Sequence, residues 1–353
     1  MDVIYGDEKA SGTALEAIDV DKWEKTADTS GHAEEIVIDD GGYFGNWSAK
    51  TARILSDGVA PLLILPKTSQ RDGSIYKRTH PWKQYYHIED RNEMMFTEPP
   101  DCFFLNDLCL HYKPRRMFQI FSLKLAENPV CGLVQLYGYV AVRNHDDPLL
   151  NYVVNCTRDD PIIVKQGSLI NMTGPKRGIG FLGDVIIEYD MRIKTGEQEK
   201  HDLPLIDGAS VIGYTDTSSC RVITKRIHGD FGAIDMEISR LEHAIEATIQ
   251  VLISEVQRSF SLCLGCFTTG FKEEIQLFDG VIGESRCLKR SVVALVESSW
   301  VELKFKVGLE SSCSAEQCCS FRPADHGHSG QEIETNFALF SVTVTWSALA
   351  RRV

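Results

Sequence analysis

The stretch Val185-Ile-Ile-Glu-Tyr-Asp-Met-Arg-Ile-Lys194 decides the fold of this chain. Apolar side chains occupy its odd positions up to Ile193, and charged side chains occupy its even positions from Glu188 onward. Successive side chains of a β-strand point to opposite faces, so such a strand has one dry face and one solvated face. The stretch therefore predicts an amphipathic β-strand.

The same two-residue rhythm recurs at residues 301–307 and 338–346, and strand-like segments without alternating helical patterns fill the chain after residue 117. Turn signals separate most of these segments, among them Asp207-Gly208 and Asp279-Gly280. Many short strands of this kind favour an antiparallel sandwich or barrel over a parallel βαβ sheet. We predict an all-β chain, with an antiparallel β-sandwich in the C-terminal two-thirds and a largely irregular, acidic N-terminal arm. The predicted strands cover residues 117–125, 133–143, 151–155, 162–172, 184–195, 220–227, 233–239, 244–255, 259–267, 273–278, 290–297, 300–307 and 335–347.

The negative charge is concentrated at the N-terminus. Residues 1–40 hold twelve acidic and three basic residues, a net charge of −9 out of −13 for the whole chain. This composition is typical of a solvated tail rather than a packed core. Pro99-Pro100 is the strongest boundary signal. We predict an acidic, partly disordered N-terminal region over residues 1–99 and a β-sandwich domain over residues 100–353.

The charge pattern argues against nucleic acid as a partner, because phosphate neutralisation requires a clustered basic face. The stretch from Lys77 to Tyr86 interleaves basic and aromatic residues, which could stack on nucleobases. Asp72, Glu89 and Glu93 dilute its charge. We predict a protein partner of unknown identity instead.

The apolar stretches are shorter than the ~18 residues that a membrane span requires. The opening MDVIYGDEKASG has neither a basic nor an apolar signal region. We therefore expect a cytoplasmic or nuclear protein without a membrane span, in which the eleven cysteines are reduced.

A polar segment near the C-terminus contains Cys313, Cys318, Cys319, His326 and His328. Thiolate and imidazole groups suit zinc. The spacing matches no familiar zinc finger or ribbon, and adjacent cysteines rarely both bind one tetrahedral ion. Two interpretations stay open: a metal site formed by these five residues, or a polar loop without a ligand.

Other motifs carry weaker signals. Gly178-Ile-Gly-Phe-Leu-Gly183 satisfies the dinucleotide-binding pattern, but it leads into a strand rather than a helix. Gly208-Ala-Ser-Val-Ile-Gly213 is one residue too long for a nucleophile elbow. His145-Asp-Asp-Pro148 and Arg158-Asp-Asp-Pro161 place carboxylate pairs in successive loops, where they could bind calcium or cap turns. We expect no catalytic residues and no cofactor.

Seven segments together resemble a plant family built on a domain of unknown function, which is expanded in grasses. The resemblance covers about residues 100–350 and implies an all-β domain without established catalytic residues. Related grass proteins can join this domain to a ribosome-inactivating N-glycosidase domain, but residues 1–100 show no N-glycosidase motif. The segments are Cys102-Phe-Phe-Leu, Met117-Phe-Gln-Ile-Phe-Ser-Leu-Lys-Leu, Leu136-Tyr-Gly-Tyr-Val-Ala-Val-Arg143, Asn155-Cys-Thr-Arg-Asp-Asp160, Leu169-Ile-Asn-Met-Thr-Gly-Pro175, Val185-Ile-Ile-Glu-Tyr-Asp190 and Phe340-Ser-Val-Thr-Val-Thr-Trp-Ser347.

The leading hypothesis is a non-catalytic β-sandwich that binds a protein partner in plant stress, defence or reproduction. The alternative is a toxin related to ribosome-inactivating proteins, or an accessory factor of such a toxin. A third hypothesis is a metal-dependent module that uses the cysteine–histidine segment or the paired aspartates.

Overall fold

A computed structural model of the chain describes residues 59–77, 80–96, 104–105, 108–109, 113–145, 147–309 and 312–347. These residues form almost entirely β-structure, arranged in several mainly antiparallel sheets with no closed barrel among them. The predicted β-sandwich fold is confirmed. The predicted acidic arm and the boundary at Pro99-Pro100 lie outside the described residues.

The described residues contain few helical elements and many strands. One short helix, α1, covers Pro81–Tyr85, and short 3-10 turns cover Ser74–Tyr76, Glu199–His201 and Tyr214–Asp216. The strands are β1 (Ala60–Pro61), β2 (Phe104–Leu105), β3 (Leu108–Cys109), β4 (Arg115–Glu127), β5 (Leu133–Arg143), β6 (Asn151–Cys156), β7 (Ile162–Lys165), β8 (Ile179–Gly180), β9 (Val185–Ile193), β10 (Leu203–Ile212), β11 (Ile223–Gly229), β12 (Gly232–Ser254), β13 (Phe260–Thr268), β14 (Ile275–Ile282), β15 (Arg286–Cys287), β16 (Ser291–Val296), β17 (Val301–Leu309), β18 (Ser312–Phe321), β19 (Gly327–Glu334) and β20 (Leu339–Ser347).

Strand β12 is 23 residues long and organises the fold. Its first half pairs with β11 and β4, and its second half pairs with β20, β15 and β16. Together with β1, β8 and β19 these strands make a nine-stranded sheet. Two smaller sheets pack on it, one in the order β10-β9-β5-β6 with β7 beside β5, the other in the order β14-β13-β17-β18.

The five-stranded sheet and the first half of β12 enclose the first core. Ile187, Tyr189 and Met191 of β9 contribute to it, together with Ile234 and Met236 of β12. The alternation read from the sequence of β9 therefore places these apolar side chains inside. The charged parity of β9 lies on the outer face of the sheet.

The four-stranded sheet and the second half of β12 enclose the second core. Its members include Leu303 and Phe305 of β17, Ile249 of β12, and Phe340 and Trp346 of β20. The predicted single sandwich domain thus contains two hydrophobic cores that share one long strand.

A kink in β12 separates the two cores. The register of β12 against β4 shifts between Leu241 and Ala244, and His243 adopts a positive φ of 48°. First-core residues of β12 have even numbers within positions 234–238, whereas second-core residues have odd numbers within positions 245–253. A bulge inserts an extra residue and changes which parity faces the interior. The sequence pattern therefore predicts two strands where the structure has one kinked strand.

The described residues of 59–77 and 80–96, here called the strap, cross the outer face of the five-stranded sheet. The backbone N–H of Leu62 donates to the carbonyl of Arg226 at 2.7 Å, and that of Leu65 donates to the carbonyl of Ala209 at 2.8 Å. Ile186 and Ala209 of the sheet form a cluster with buried strap residues, which are Ile75, Trp82, Tyr86 and Ile88. The strap is mostly irregular, as predicted for this region, but it is packed against the sandwich.

Two predicted turns are wrong. Asp207-Gly208 lies inside β10 and Asp279-Gly280 lies inside β14. In β10 the pairing with β9 outweighs the local turn signal, because Asp207 pairs with Asp190 and its carboxylate accepts hydrogen bonds from the strap residues Gln70 and Arg71. Because Asp207-Gly208 was predicted to be a turn, no predicted strand corresponds to β10.

Candidate functional site

Four of the five proposed metal ligands lie in two strands rather than in the predicted loop, and only His326 lies in the connection between them. Cys313, Cys318 and Cys319 are in β18, His328 is in β19, and His326 precedes β19. Cys318 is exposed and Cys319 is buried, since adjacent side chains of a strand face opposite sides. Burial raises the pKa of the Cys319 thiol to about 12, which disfavours the thiolate that zinc requires. Within the described part of the chain, no three His, Cys, Asp or Glu side chains are grouped to hold a metal, and the zinc site stays a prediction.

The two aspartate loops do not come together. Residues 145–148 precede β6 and residues 158–161 follow it, so the loops lie at opposite ends of a six-residue strand. Such a strand is ~20 Å long, whereas calcium ligands lie about 2.3–2.6 Å from the ion. Arg158 already pairs with Asp202 at 2.7 Å, and Asp146 lies outside the described residues. The described residues of the two loops therefore lie too far apart to share a calcium ion.

The two glycine motifs contribute residues to β-strands rather than to ligand-binding turns. Gly180 belongs to β8, which pairs with β4, and the chain continues into β9 without a helix. The backbone N–H of Gly178 donates to the carboxylate of Glu246 at 2.5 Å, where a nucleotide-binding loop would present it to phosphate. Ser210 of β10 is buried and hydrogen-bonds to the Tyr189 hydroxyl at 2.8 Å. It is not exposed as a nucleophile would be.

Three side chains of the basic and aromatic stretch near α1 are buried. Trp82 and Tyr86 are buried in the strap, and the Tyr86 hydroxyl donates to the carbonyl of Asp184 at 2.7 Å. The Lys83 ammonium donates to two backbone carbonyls of the strap. These three side chains are therefore not available to stack on nucleobases or to contact phosphates.

A buried ion pair joins β5 and β9 on the face of the five-stranded sheet that the strap covers. The Arg143 guanidinium donates to the Glu188 carboxylate at 2.5 Å, and both side chains are 1% exposed. Gln70 of the strap donates to the same carboxylate at 3.2 Å. Burial raises the pKa of Glu188, and Arg143 and Gln70 oppose this effect. Because the pair is sealed from solvent, it holds the strap rather than a ligand.

An exposed cluster of aromatic and charged side chains surrounds Tyr214 at the kink of β12. Tyr214 is 52% exposed, yet the Arg240 guanidinium carbon lies 3.6 Å from its ring centroid and that of Arg116 lies 5.1 Å away. Glu242 accepts hydrogen bonds from both guanidinium groups, at 3.0 Å from Arg240 and at 2.9 Å from Arg116. Exposed Leu182 follows Phe181, whose backbone N–H donates to the carbonyl of Arg116 at 3.0 Å. We call Tyr214, Arg116, Arg240, Glu242 and Leu182 the Tyr214 surface.

The backbone around Tyr214 is fixed by hydrogen bonds. Arg240 donates a side-chain hydrogen bond to the carbonyl of Tyr214 at 2.9 Å, and the Thr217 hydroxyl donates to the same carbonyl at 3.1 Å. The N–H of Gly213 donates to the Asp216 carboxylate at 3.0 Å. The backbone of Arg240 holds the following turn as well, since its N–H donates to the carbonyl of Ser218 and its carbonyl accepts from the N–H of Cys220. Tyr214 is therefore displayed on a rigid turn.

Two carboxylates lie beside this turn. A Cβ atom at Gly213 would lie 3.0 Å from an Asp184 oxygen and 3.5 Å from an Asp216 oxygen, so glycine gives them room. Burial and the negative charge of Asp216 raise the pKa of Asp184. Asp216 has a distant ion pair with Lys225 at 3.9 Å. The edge of the Tyr214 surface is thus acidic, next to exposed Leu182.

The sequence contained one signal for this surface that our predictions missed. Arg240 and Glu242 continue the even positions of β12, which are apolar in the first core. Where charged residues replace apolar residues at alternate positions of a strand, the hydrophobic core ends. Tyr214 carries no comparable signal, because it lies in a loop whose position depends on the fold.

This arrangement defines the chain as an all-β sandwich protein with an aromatic and charged surface at the junction of its two cores. The chain belongs to the family described as domain of unknown function DUF6598, whose model matches residues 117–344. The family match thus covers both cores except for Leu62 and Trp346. No curated protein matches the chain.

The solved structures that match show distant similarity. Human GIVD cytosolic phospholipase A2 is 10% identical, with 68% of this chain and 30% of that chain covered and a TM-score of 0.21. The paired C2 domains of Extended-Synaptotagmin 2 are 7% identical, with 72% of this chain and 99% of that chain covered and a TM-score of 0.23. The chain spans about a third of the length of the phospholipase. In the described residues, no helix has the length and apolar character needed to cross a membrane.

Proposed function

We propose that the chain is a non-catalytic β-sandwich module that binds a protein partner through the Tyr214 surface. The carrying observation is that Tyr214 remains half exposed while two guanidinium groups and a hydrogen-bonded turn hold it in place. Tyrosine and arginine dominate the energetic centres of protein interfaces. A side chain that is already ordered loses little conformational freedom when it binds.

The chemistry of the surface describes the partner. Tyr214 and Leu182 offer apolar area, whereas Arg116 and Glu242 offer charge at its border, with side chains 34% and 30% exposed. An interface of this kind has an apolar centre and a polar rim. The partner is expected to bring an apolar or aromatic side chain onto Tyr214 and polar groups to the rim.

The test compares Tyr214→Ala with a matched variant. Trp300→Ala removes another exposed aromatic side chain, which is 50% exposed and whose hydrogen bonds to Thr269 are made by its backbone. Partners captured by the full chain from grass tissue extract are identified, and their affinity for each variant is measured with purified protein. We expect Tyr214→Ala to weaken binding at least about 30-fold, as for an interface hot spot of about 2 kcal/mol. Trp300→Ala should bind normally, and equal binding by Tyr214→Ala would contradict the proposal.

The biological setting forms a further part of the proposal. On the basis of the resemblance described above, we propose a plant protein. We further propose that it acts in the cytoplasm or nucleus, in stress, defence or reproduction. The toxin-related alternative stays a prediction, and no structural feature of the described residues favours it. Depurination of ribosomal RNA by the purified chain would revive it.

A further inference from the structure

A second group of charged and aromatic residues surrounds the turn between β7 and β8. This turn contains Thr173, Gly174 and Pro175, with a cis bond between Gly174 and Pro175. A Cβ atom at Gly174 would lie 1.9 Å from the carbonyl oxygen of Tyr152, so only glycine allows this close approach. The turn is therefore held tightly against β6, which fixes the position of the next residue, Lys176.

Lys176 is positioned by its backbone and by its neighbours. Its N–H donates to the side chain of buried Asn151 at 2.9 Å, and its ammonium group pairs with Glu93 at 2.8 Å. The ammonium group also lies 6.0 Å from the centroid of the Phe96 ring. The guanidinium carbon of Arg290 lies 6.0 Å from the same centroid. Phe96 therefore makes a cation–π contact with each of these two cations.

Lys289 adds a third positive charge. Both Lys289 and Arg290 line a cavity of about 30 Å³ together with the turn residues Thr173 and Gly174. Desolvation lowers the pKa of Lys289, and the positive charge of Lys176 lowers it further, whereas Glu93 opposes the change. A positive charge that lowers the pKa of a neighbouring ammonium group disfavours the charged form of that group, and an anion bound beside the two groups relieves this effect.

We propose that Lys176, Lys289 and Arg290 form a binding site for a phosphate group, present either as inorganic phosphate or as the monoester of a small soluble molecule. Three of the charged groups here are positive and one, Glu93, is negative, which favours an anion with more than one charge. The planar guanidinium group of Arg290 matches the geometry of phosphate oxygens. The cavity has room for about one or two waters, so the anion lies at its mouth, between the cations.

The experiment measures binding to the full chain by calorimetry at constant ionic strength. Inorganic phosphate and glycerol phosphate are titrated separately into the wild type, Lys289→Gln and Lys165→Gln. Lys165 is another exposed lysine, which lies in β7 and is remote from Lys289 in the sequence, and it serves as the matched control. Because Lys289 is exposed, its replacement should leave the circular dichroism spectrum unchanged.

We expect saturable binding to the wild type and to Lys165→Gln, and at least tenfold weaker binding to Lys289→Gln. Binding of both compounds would identify a phosphomonoester site, and binding of inorganic phosphate alone would identify a site for the free anion. Absence of saturable binding, or equal binding by Lys289→Gln, would overturn the proposal. The result is independent of the protein-binding function, since Tyr214→Ala should bind phosphate as the wild type does.

Discussion

At the scale of single residues, the Arg143–Glu188 ion pair shows why charged residues occur inside this fold. Each side chain is 1% exposed, and Arg143 also donates to the carbonyl of Pro148 at 2.6 Å. Removal of two charges from water is expensive, and only mutual pairing and further hydrogen bonds offset it. The pair therefore makes the stability of the sheet depend on the position of the strap.

Replacement of Arg143 by methionine leaves the Glu188 carboxylate buried without its partner. We expect Arg143→Met to lower the free energy of unfolding by about 3–5 kcal/mol, as for other broken buried pairs. The double variant Arg143→Met, Glu188→Met should recover most of this loss, because no charge is left buried. Urea denaturation measures both. Lys304→Met, which removes a partly exposed partner 4.0 Å from Glu302, is the control and should change stability by less than about 1 kcal/mol.

Gly174 provides a second prediction at this scale. Because an added Cβ atom would meet the Tyr152 carbonyl oxygen at 1.9 Å, Gly174→Ala must displace backbone. We expect a loss of about 1–3 kcal/mol in the free energy of unfolding. Gly283→Ala is the matched change, since nothing lies within 4 Å of its added Cβ atom. Equal stability of the two variants in thermal denaturation would show that the turn adapts to the extra atom.

At the scale of elements, the sequence predicted strands well where one face is dry. The segment 133–143 was predicted with the bounds that β5 has, and β9 differs from its prediction by one or two residues at each end. Strands β18 and β19 were not predicted, because their residues are mostly polar and exposed and show no apolar parity. Such edge strands are defined by pairing with β17 and β20, which the sequence does not reveal.

Asp184, which precedes β9, and Asp216, in the turn after β10, make the stability of the fold depend on pH. The pKa of Asp184 is raised by burial and by Asp216, so folding favours its protonated form. This contribution to stability is fully present below the unfolded pKa of about 3.9 and is lost as pH rises through the folded pKa. We expect Asp184→Asn to be more stable than the wild type at pH 7. The difference should vanish below about pH 4, and denaturation at a series of pH values measures it.

At the scale of the whole molecule, the strap packs against the sandwich. It buries four large side chains against the five-stranded sheet and its neighbours. The boundary at Pro99-Pro100 lies outside the described residues and stays a prediction. The sequence did not reveal this packing, since the strap has no regular apolar period. Its burial depends on Ile186 and Ala209, which are distant in the chain.

Two fragments test the role of the strap. A fragment of residues 59–353 keeps every described contact, whereas a fragment of residues 100–353 exposes the outer face of the sheet. Full burial of a large apolar side chain is worth about 1.5–3 kcal/mol. We expect the shorter fragment to have a lower melting temperature and to bind a hydrophobic dye. Identical thermal unfolding of the two fragments would mean that the strap contributes nothing to the sandwich.

The candidate sites differ in whether their residues are close in the sequence or are brought together by the fold. The proposed zinc ligands were chosen from their closeness in sequence, but strand geometry places Cys318 and Cys319 on opposite faces. The Tyr214 surface instead combines residues from β4, β12 and a loop, and the basic site combines Lys176 with Lys289. Only the fold brings these residues together. The one local signal was the pair of charged residues Arg240 and Glu242, which follow the apolar even positions of β12.

The central claim is that the Tyr214 surface contacts a protein partner, and site-specific photo-crosslinking tests it most directly. A photoreactive amino acid replaces Tyr214 in one protein and Trp300 in another, since the two positions are similarly exposed. After irradiation in tissue extract, we expect position 214 to yield one specific covalent adduct with another protein, and position 300 not to yield it. Absence of an adduct at position 214, or the same adducts at both positions, would contradict the account.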